Sequence, residues 1–382
     1  MTRSLKILAG LGVLVLAATV ALQTGFAHWA FFEVFAFVRG EDVLGPTILR
    51  NPPVNSPYQR WLERARKDIP IFEGLVIQDI EHVALSPWPQ MGEGVTGLYL
   101  HFADYQMTDG RILEIPPGGK TNSQRHLYEK GIYFLSGEGY TILQQEGKPL
   151  QRVNWNEGDL FSVPLNVLHQ HHNTGDKPAR MLMVTSFPLV LNVMNNEDFI
   201  EENPYAFTDR YDGEPDYLQR VEDVNEIENT ANFVEDVRST GTRRFDKIGK
   251  GNSTMHWLMA GNSMLKMHVM QLPPKAHNKG HRHASDAFIL LLSGTGYSVA
   301  WREGAYDERV RVNWQAGTLF VPPTYWYHQH FNSSSTPARH LAINVPGIVR
   351  NLGLHFQNYL EVDIAAVRDE WERELENVAA DE

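Results

Sequence analysis

An internal repeat constrains this chain more than any other feature. Ile115-Pro-Pro returns as Leu272-Pro-Pro, Arg125-His126 as Arg282-His283, and Leu135-Ser-Gly-Glu-Gly-Tyr140 as Leu292-Ser-Gly-Thr-Gly-Tyr297, each 157 residues later. Arg152-Val-Asn-Trp155 returns as Arg311-Val-Asn-Trp314, His169-Gln-His171 as His328-Gln-His330, and Pro178-Ala-Arg180 as Pro337-Ala-Arg339, each 159 residues later. Two extra residues between Tyr297 and Arg311 account for the change of offset. Matches in one order at nearly constant spacing are the mark of a duplicated domain. With 382 residues, each copy is long enough to bury a core of its own.

Within each copy the apolar runs are short, rich in Val, Ile, Leu, Phe and Tyr, and broken by Gly, Pro and Asn; Gly131-IYFLS, Asp159-LFSVP, Ala287-FILLLS and Thr318-LFVPP are examples. Runs of this length, punctuated by turn residues every ten or so positions, predict an all-β sandwich or small barrel. The repeat divides the chain into a first barrel over 41–195, an acidic connecting segment over 196–245 of helical or irregular structure, and a second barrel over 246–354. Residues 355–382 carry Leu360, Val362, Ile364, Val367, Trp371 and Leu375 at helical spacing and predict a C-terminal helix packed on that barrel. Gly137-Glu-Gly and Gly294-Thr-Gly read as turns between strands, since no helix follows to make a phosphate loop.

The absence of cysteine excludes disulfide frameworks, thiolate metal sites and cysteine nucleophiles together. A net charge of −12 without a basic run argues against a nucleic-acid partner. Residues 1–40 begin with MTRSLK, two positive charges and no acid, followed by an uncharged apolar stretch from Ile7 to Leu22. That is the layout of a signal peptide or, uncleaved, of a membrane anchor. By the positive-inside rule the remainder of the chain is exported, periplasmic or membrane-anchored.

Histidines fall at metal-ligand spacing. His281-Arg282-His283 precedes a predicted strand, and on a strand residues i and i+2 share a face. His328-Gln329-His330 follows 45 residues after His283, at the end of another strand. Imidazoles converging from these strands suit Fe, Mn, Zn, Cu or Ni and leave coordination positions open for a small-molecule substrate. Arg282 and Arg302 are candidates to pair a substrate carboxylate, and Tyr297, Trp301, Tyr325, Trp326 and Tyr327 are candidates to line an aromatic pocket. In the first copy Gln124 stands at the place of His281, while His126 and His169 keep their places. Lys130 would put a cation beside any ion held there, which points to an idle, structural first barrel; a His126/His169/Glu129 site is the competing arrangement.

These two motifs, H-x-H and then Gly317…Pro323…His328…Asn332, resemble those of the cupin superfamily, and the duplication resembles a bicupin. The resemblance implies two tandem double-stranded β-helix (jelly-roll) barrels. The glutamate usual in the first cupin motif is replaced by Ala287, with Asp286 just before it. In that respect, and in Arg282 and the string Trp326-Tyr-His328-Gln-His330-Phe-Asn332, the chain is similar to the gentisate 1,2-dioxygenase branch. That branch binds ferrous iron through three histidines. The resemblance implies His281, His283 and His328 as ligands of a divalent metal, Fe(II) before Mn, Zn, Cu or Ni. It further implies a dioxygenase of a small aromatic or enolic substrate, with His330 and Tyr327 handling protons and Arg282 binding substrate. The pairing habit of cupins implies a homodimer. A non-redox isomerase, lyase or decarboxylase, or a non-catalytic binding protein, are the alternatives.

Overall fold

The computed structural model describes residues 55–259, 264–354 and 356–381. The apolar segment expected to export or anchor the chain lies outside them. Among the described residues no helix is long and apolar enough to cross a membrane.

Strand alternation builds the architecture. In Ser253–Met259 and Lys266–Leu272, the bulky apolar residues Met255, Trp257, Met259, Met267 and Val269 alternate with Thr254, His256, His268 and Met270. On a pleated strand the two sets face opposite ways. The first set enters a large core shared with Leu98, Leu100, Phe102, Ile112, Leu182 and Val184 of the first copy. Phe102 and Phe288 meet there edge to face at 5.5 Å. The second set faces the interior of its own barrel.

Each copy pairs a large sheet with a smaller one. In the first, Thr96–Phe102, Asp109–Ile115, Ala179–Thr185, Lys130–Ser136 and Leu160–Val163 lie side by side, and Leu168–Asn173, Glu138–Gln144 and Gln151–Asn156 form the second layer. The second copy repeats both layers, with Tyr327–Asn332 of the smaller sheet pairing His281–His283. The all-β reading and the two barrels therefore hold, and the Val367 and Trp371 side chains of the C-terminal helix Ala365–Asp381 pack on Tyr297, Trp301 and Phe331 as expected.

The connecting segment departs from expectation. Instead of helix and irregular structure alone, it contains Val221–Asn225, Glu228–Ala231 and Phe233–Val234, strands that complete both large sheets. Phe233–Val234 pairs with Leu160–Val163 of the first barrel, whereas Val76–Ile77 pairs with Leu319–Phe320 of the second. These two short strands are themselves 157 residues apart, so the barrels exchange edge strands reciprocally. Val221–Asn225 lies at a sheet edge and is exposed along its whole length with two acidic residues, which removes the apolar signature of a buried strand.

A second reciprocal contact binds the barrels. Glu129 Oε2 accepts hydrogen bonds from the Met264 and Leu265 amides, both at 2.7 Å. Asp286 Oδ2 accepts from the Met107 and Thr108 amides at 3.1 and 3.2 Å, and its Oδ1 accepts from the Thr324 hydroxyl at 2.7 Å. Every member of one clasp lies 157 residues from its counterpart in the other, Thr324 apart. The acids that stand one place before the usual cupin glutamate position thus hold the opposite barrel.

The paired glycines of the L-S-G-x-G-Y repeat are structural. Gly137 and Gly294 adopt φ of +87° and +86°, the left-handed region that glycine tolerates. At Gly296 a Cβ would overlap the Phe331 carbonyl oxygen and come within 2.6 Å of the Trp314 ring. Gly296→Ala should therefore destabilise the fold by about 3 kcal/mol, read as a lowered unfolding midpoint. Gly241→Ala, at a position with open space around it, should leave the midpoint nearly unchanged.

Candidate metal centre

The two barrels differ inside. The first is filled by Tyr99, Met181, Met183 and Phe187 together with a buried Arg111–Asp109 pair. Its helix Pro57–Ala65 buries Tyr58 against Tyr99 and His101. At the matching places of the second barrel stand His256, His340, Ala342 and Pro346, with His268 at the place of Arg111. Smaller side chains leave a cavity of about 390 Å³, a size suited to small ligands.

His281, His283, His328 and His330 line that cavity. Their orientation is fixed by backbone carbonyls: Nδ1 of His281 donates to Lys279 O (3.0 Å), that of His283 to Ser285 O (2.7 Å), and that of His328 to Trp326 O (3.1 Å). A carbonyl can only accept, so the proton sits on Nδ1 and the Nε2 lone pair is presented to the interior. His330 Nδ1 is bonded to Ser298 Oγ at 2.8 Å. Burial, reinforced by neighbouring imidazoles, holds His281 down to about 3 and His328 and His330 well below the ordinary histidine value. Neutral imidazoles are what a metal requires.

Among the described residues, His281, His328 and His330 place their ligand atoms within 4.8 Å of one another. His328 Nε2 is buried and makes no hydrogen bond. An oriented, neutral and unpartnered nitrogen beside two others fits a bound metal ion. His283, expected as the third ligand, stands next to them, its ring 4.9 Å from that of His328. The geometry thus groups His330 with His281 and His328, where the sequence reading has His283.

Three expected substrate-binding or catalytic residues lie elsewhere. Arg282 alternates out of the cavity, stacks on the Tyr327 ring at 4.6 Å and pairs with Glu303 at 2.9 Å. Tyr327 belongs to the apolar cluster beneath the C-terminal helix, its hydroxyl receiving a hydrogen bond from Asn358. Arg302 pairs with Glu308. None of them lines the cavity, nor do Tyr297, Trp301, Tyr325 or Trp326; the aromatic rings that do are Phe245 and Tyr359. The physical reason is the two-residue period of a strand, which sends Arg282 and Tyr327 to the face opposite the histidines.

Sequence reasoning missed several cavity residues. His256 and His268 stack at 4.6 Å on neighbouring strands, and His340 lies 5.3 Å from His330. Burial lowers His256 to about 3 and His340 to about 4. Lys266 and Arg350 also line the cavity, Lys266 in an ion pair with Glu228. Strand Gln357–Tyr359 pairs with His281–His283 and closes one side, Tyr359 stacking on His281 at 5.5 Å.

In the first barrel the residues proposed as a competing site do not assemble. Glu129 is turned away to clasp Met264 and Leu265, and Lys130 Nζ lies against His169.

Residues 111–185 match the family described as Cupin domain. A 5-aminosalicylate 1,2-dioxygenase of Comamonas sp. is 27% identical over 239 residues, which are 57% of this chain and 59% of that protein. The match thus spans less than two thirds of the relative's length. Among solved structures, a variant of the salicylate 1,2-dioxygenase from Pseudoaminobacter salicylatoxidans, in complex with gentisate, covers 80% of this chain and 85% of its own at 13% identity and a TM-score of 0.52. A Bacillus subtilis oxalate decarboxylase covers 78% and 84% at 12% identity and a TM-score of 0.49. The Cupin domain matched at residues 111–185 lies in the first barrel, and the second barrel repeats its fold, the arrangement of the bicupins that the sequence resembles.

Proposed function

We propose that the chain is a mononuclear metal-dependent dioxygenase of a small aromatic or enolic substrate, with its working site in the second barrel. The observation that carries this reading is the convergence of the neutral imidazoles of His281, His328 and His330, the first two with Nε2 lone pairs available, on the wall of a cavity of about 390 Å³. The likeness to a 5-aminosalicylate 1,2-dioxygenase supports the reaction class. Fe(II) is the proposed ion; when bound it supplies open coordination positions and one-electron chemistry.

The chain's own residues would do the rest. His283, beside the three-histidine group, is placed to hold or move a proton at a substrate oxygen. At the far side of the cavity, Lys266 and Arg350 supply positive charge for a substrate carboxylate, with Glu228 holding the Lys266 ammonium in place. His256 and His268 each bury an Nδ1 that makes no hydrogen bond and can meet a substrate hydroxyl. Gln357 and Tyr359 exclude water along the edge beside His281.

We also propose that residues 1–40 export or anchor the protein, so that its metal is acquired outside the cytoplasm. There copper and zinc outcompete ferrous iron at nitrogen ligands, and the test must control the ion. Metal-free protein reloaded anaerobically with Fe(II) is expected to consume one O₂ per substrate in an oxygen electrode with gentisate, salicylate or 5-aminosalicylate. Release of CO₂ without O₂ uptake would favour a decarboxylase, and saturable binding without turnover a binding protein.

A further inference from the structure

The first barrel keeps the scaffold of a metal site. His126 Nδ1 donates to Tyr128 O at 2.8 Å and His169 Nδ1 to Val167 O at 2.9 Å. These bonds repeat, position for position, those of His283 to Ser285 and His328 to Trp326. His171 Nδ1 bonds Thr141 Oγ1 at 2.7 Å, as His330 bonds Ser298. Three imidazoles are thus oriented as in the second barrel, and His126 and His169 lie 5.1 Å apart, ring to ring.

What differs is the occupant of the space between them. Where the second barrel has Ala287 on the cavity wall, the first has Lys130, fully buried. Its Nζ donates to Gln124 Oε1 at 2.8 Å and to His169 Nε2 at 3.1 Å. Gln124 stands at the place of His281, and His169 at the place of His328. The ammonium therefore takes lone pairs from the groups that correspond to two of the three clustered histidines. Burial and, after it, the charge of Arg111 push Lys130 down to about 7, while Glu201 and Asp109 act through space to favour its charged form. The Nε2 atoms of His126 and His171 are buried without a hydrogen-bond partner, as befits ligand atoms whose ion has no room.

We propose that the Lys130 ammonium is an internal cation standing where a metal ion would sit, and that it keeps the first barrel free of metal while satisfying the lone pairs of Gln124 and His169. A buried amine among neutral imidazoles would otherwise be an unfavourable placement. Here it supplies the positive centre around which Gln124 and His169 are arranged. The first barrel is on this account a cryptic divalent-cation site, one substitution away from use.

The test uses the full chain carrying His328→Ala, which removes the second-barrel site and makes the outcome independent of that site's function. After exposure to Co(II) and gel filtration, this protein is expected to retain less than about 0.1 Co(II) per chain. The same protein with Lys130→Glu, which replaces the ammonium by a carboxylate ligand beside His126 and His169, is expected to retain about one, with a visible absorption band of nitrogen-ligated cobalt. If Lys130→Glu does not fold, Lys130→Ala empties the position without inverting its charge and is expected to show the same gain. Retention of one Co(II) by the His328→Ala protein with Lys130 intact would overturn the proposal. So would a folded Lys130 variant that gains none.

Discussion

His328→Ala is expected to strip the protein of its metal and reduce turnover by on the order of 10³-fold or more. Loss of a residue that merely orients a ligand costs ~10–100-fold in metal affinity or activity, and loss of a ligand exceeds that. His328 is the most exposed to this test because its ring lies 4.2 Å from that of His281, 4.9 Å from that of His283 and 5.6 Å from that of His330. Both three-histidine sets at issue, His281/His328/His330 and His281/His283/His328, include it. Elemental analysis of the purified variant, compared with wild type at about one ion per chain, reads the outcome; an unchanged metal content would remove the site from this barrel.

The third ligand is decided by a companion variant. If His330 binds the ion, Ser298→Ala, which deletes the hydroxyl bonded to His330 Nδ1, should weaken metal affinity by about 10–100-fold. If His283 is the ligand, the same change should leave affinity within about twofold, since His283 is oriented by the Ser285 carbonyl and not by Ser298. Ser298 also accepts from Trp314 Nε1 at 3.0 Å, so the measurement should be the metal dissociation constant and not stability alone.

The parts of this architecture legible in the sequence are those that repeat with identical residues. The G-x-G turns, the H-x-H pairs and the R-V-N-W strands survive because each answers a backbone or site requirement common to both copies. The repeat in fact begins earlier, at Ile71 and Glu228, where equivalent strands pair in parallel with Thr96–Phe102 and Ser253–Met259. Those segments make short backbone pairings and need only an apolar residue or two, so identity has dwindled to matches such as Asp79-Ile80 with Asp236-Val237. His256, His268 and His340 escaped notice because they sit one per strand, side by side across a sheet, with no local motif. Strand alternation was the available signal: Met255 and Trp257 flank His256 and belong to the opposite face. The same alternation, applied to the neighbours of the site histidines, would have sent Arg282 and Tyr327 outward at once.

Asp286→Ala is expected to lower stability by about 2–4 kcal/mol at pH 4–5 and by much less at pH 8. At each amide or hydroxyl left without its acceptor the loss is about 1–3 kcal/mol, and Asp286 serves the Met107 and Thr108 amides and the Thr108 and Thr324 hydroxyls. The pH dependence follows from burial, which pushes the carboxyl up to about 6 against the opposing hydrogen bonds from Thr324, Met107 and Thr108. In the unfolded chain the group ionises near 4. Between these values the folded state binds the extra proton, so stability falls as pH rises through the window and is highest below it. Two units correspond to about 3 kcal/mol. The protonated carboxyl remains a good clasp, because a proton on Oδ1 can be donated to the Thr324 hydroxyl while Oδ2 still accepts from both amides. Denaturant unfolding at pH 4.5, 6 and 8 should therefore show wild type losing stability relative to Asp286→Ala as the pH rises, the two curves converging near neutrality. Parallel curves across that range would mean that the carboxyl ionises at its ordinary value, and that the joint between the barrels does not respond to protons through Asp286.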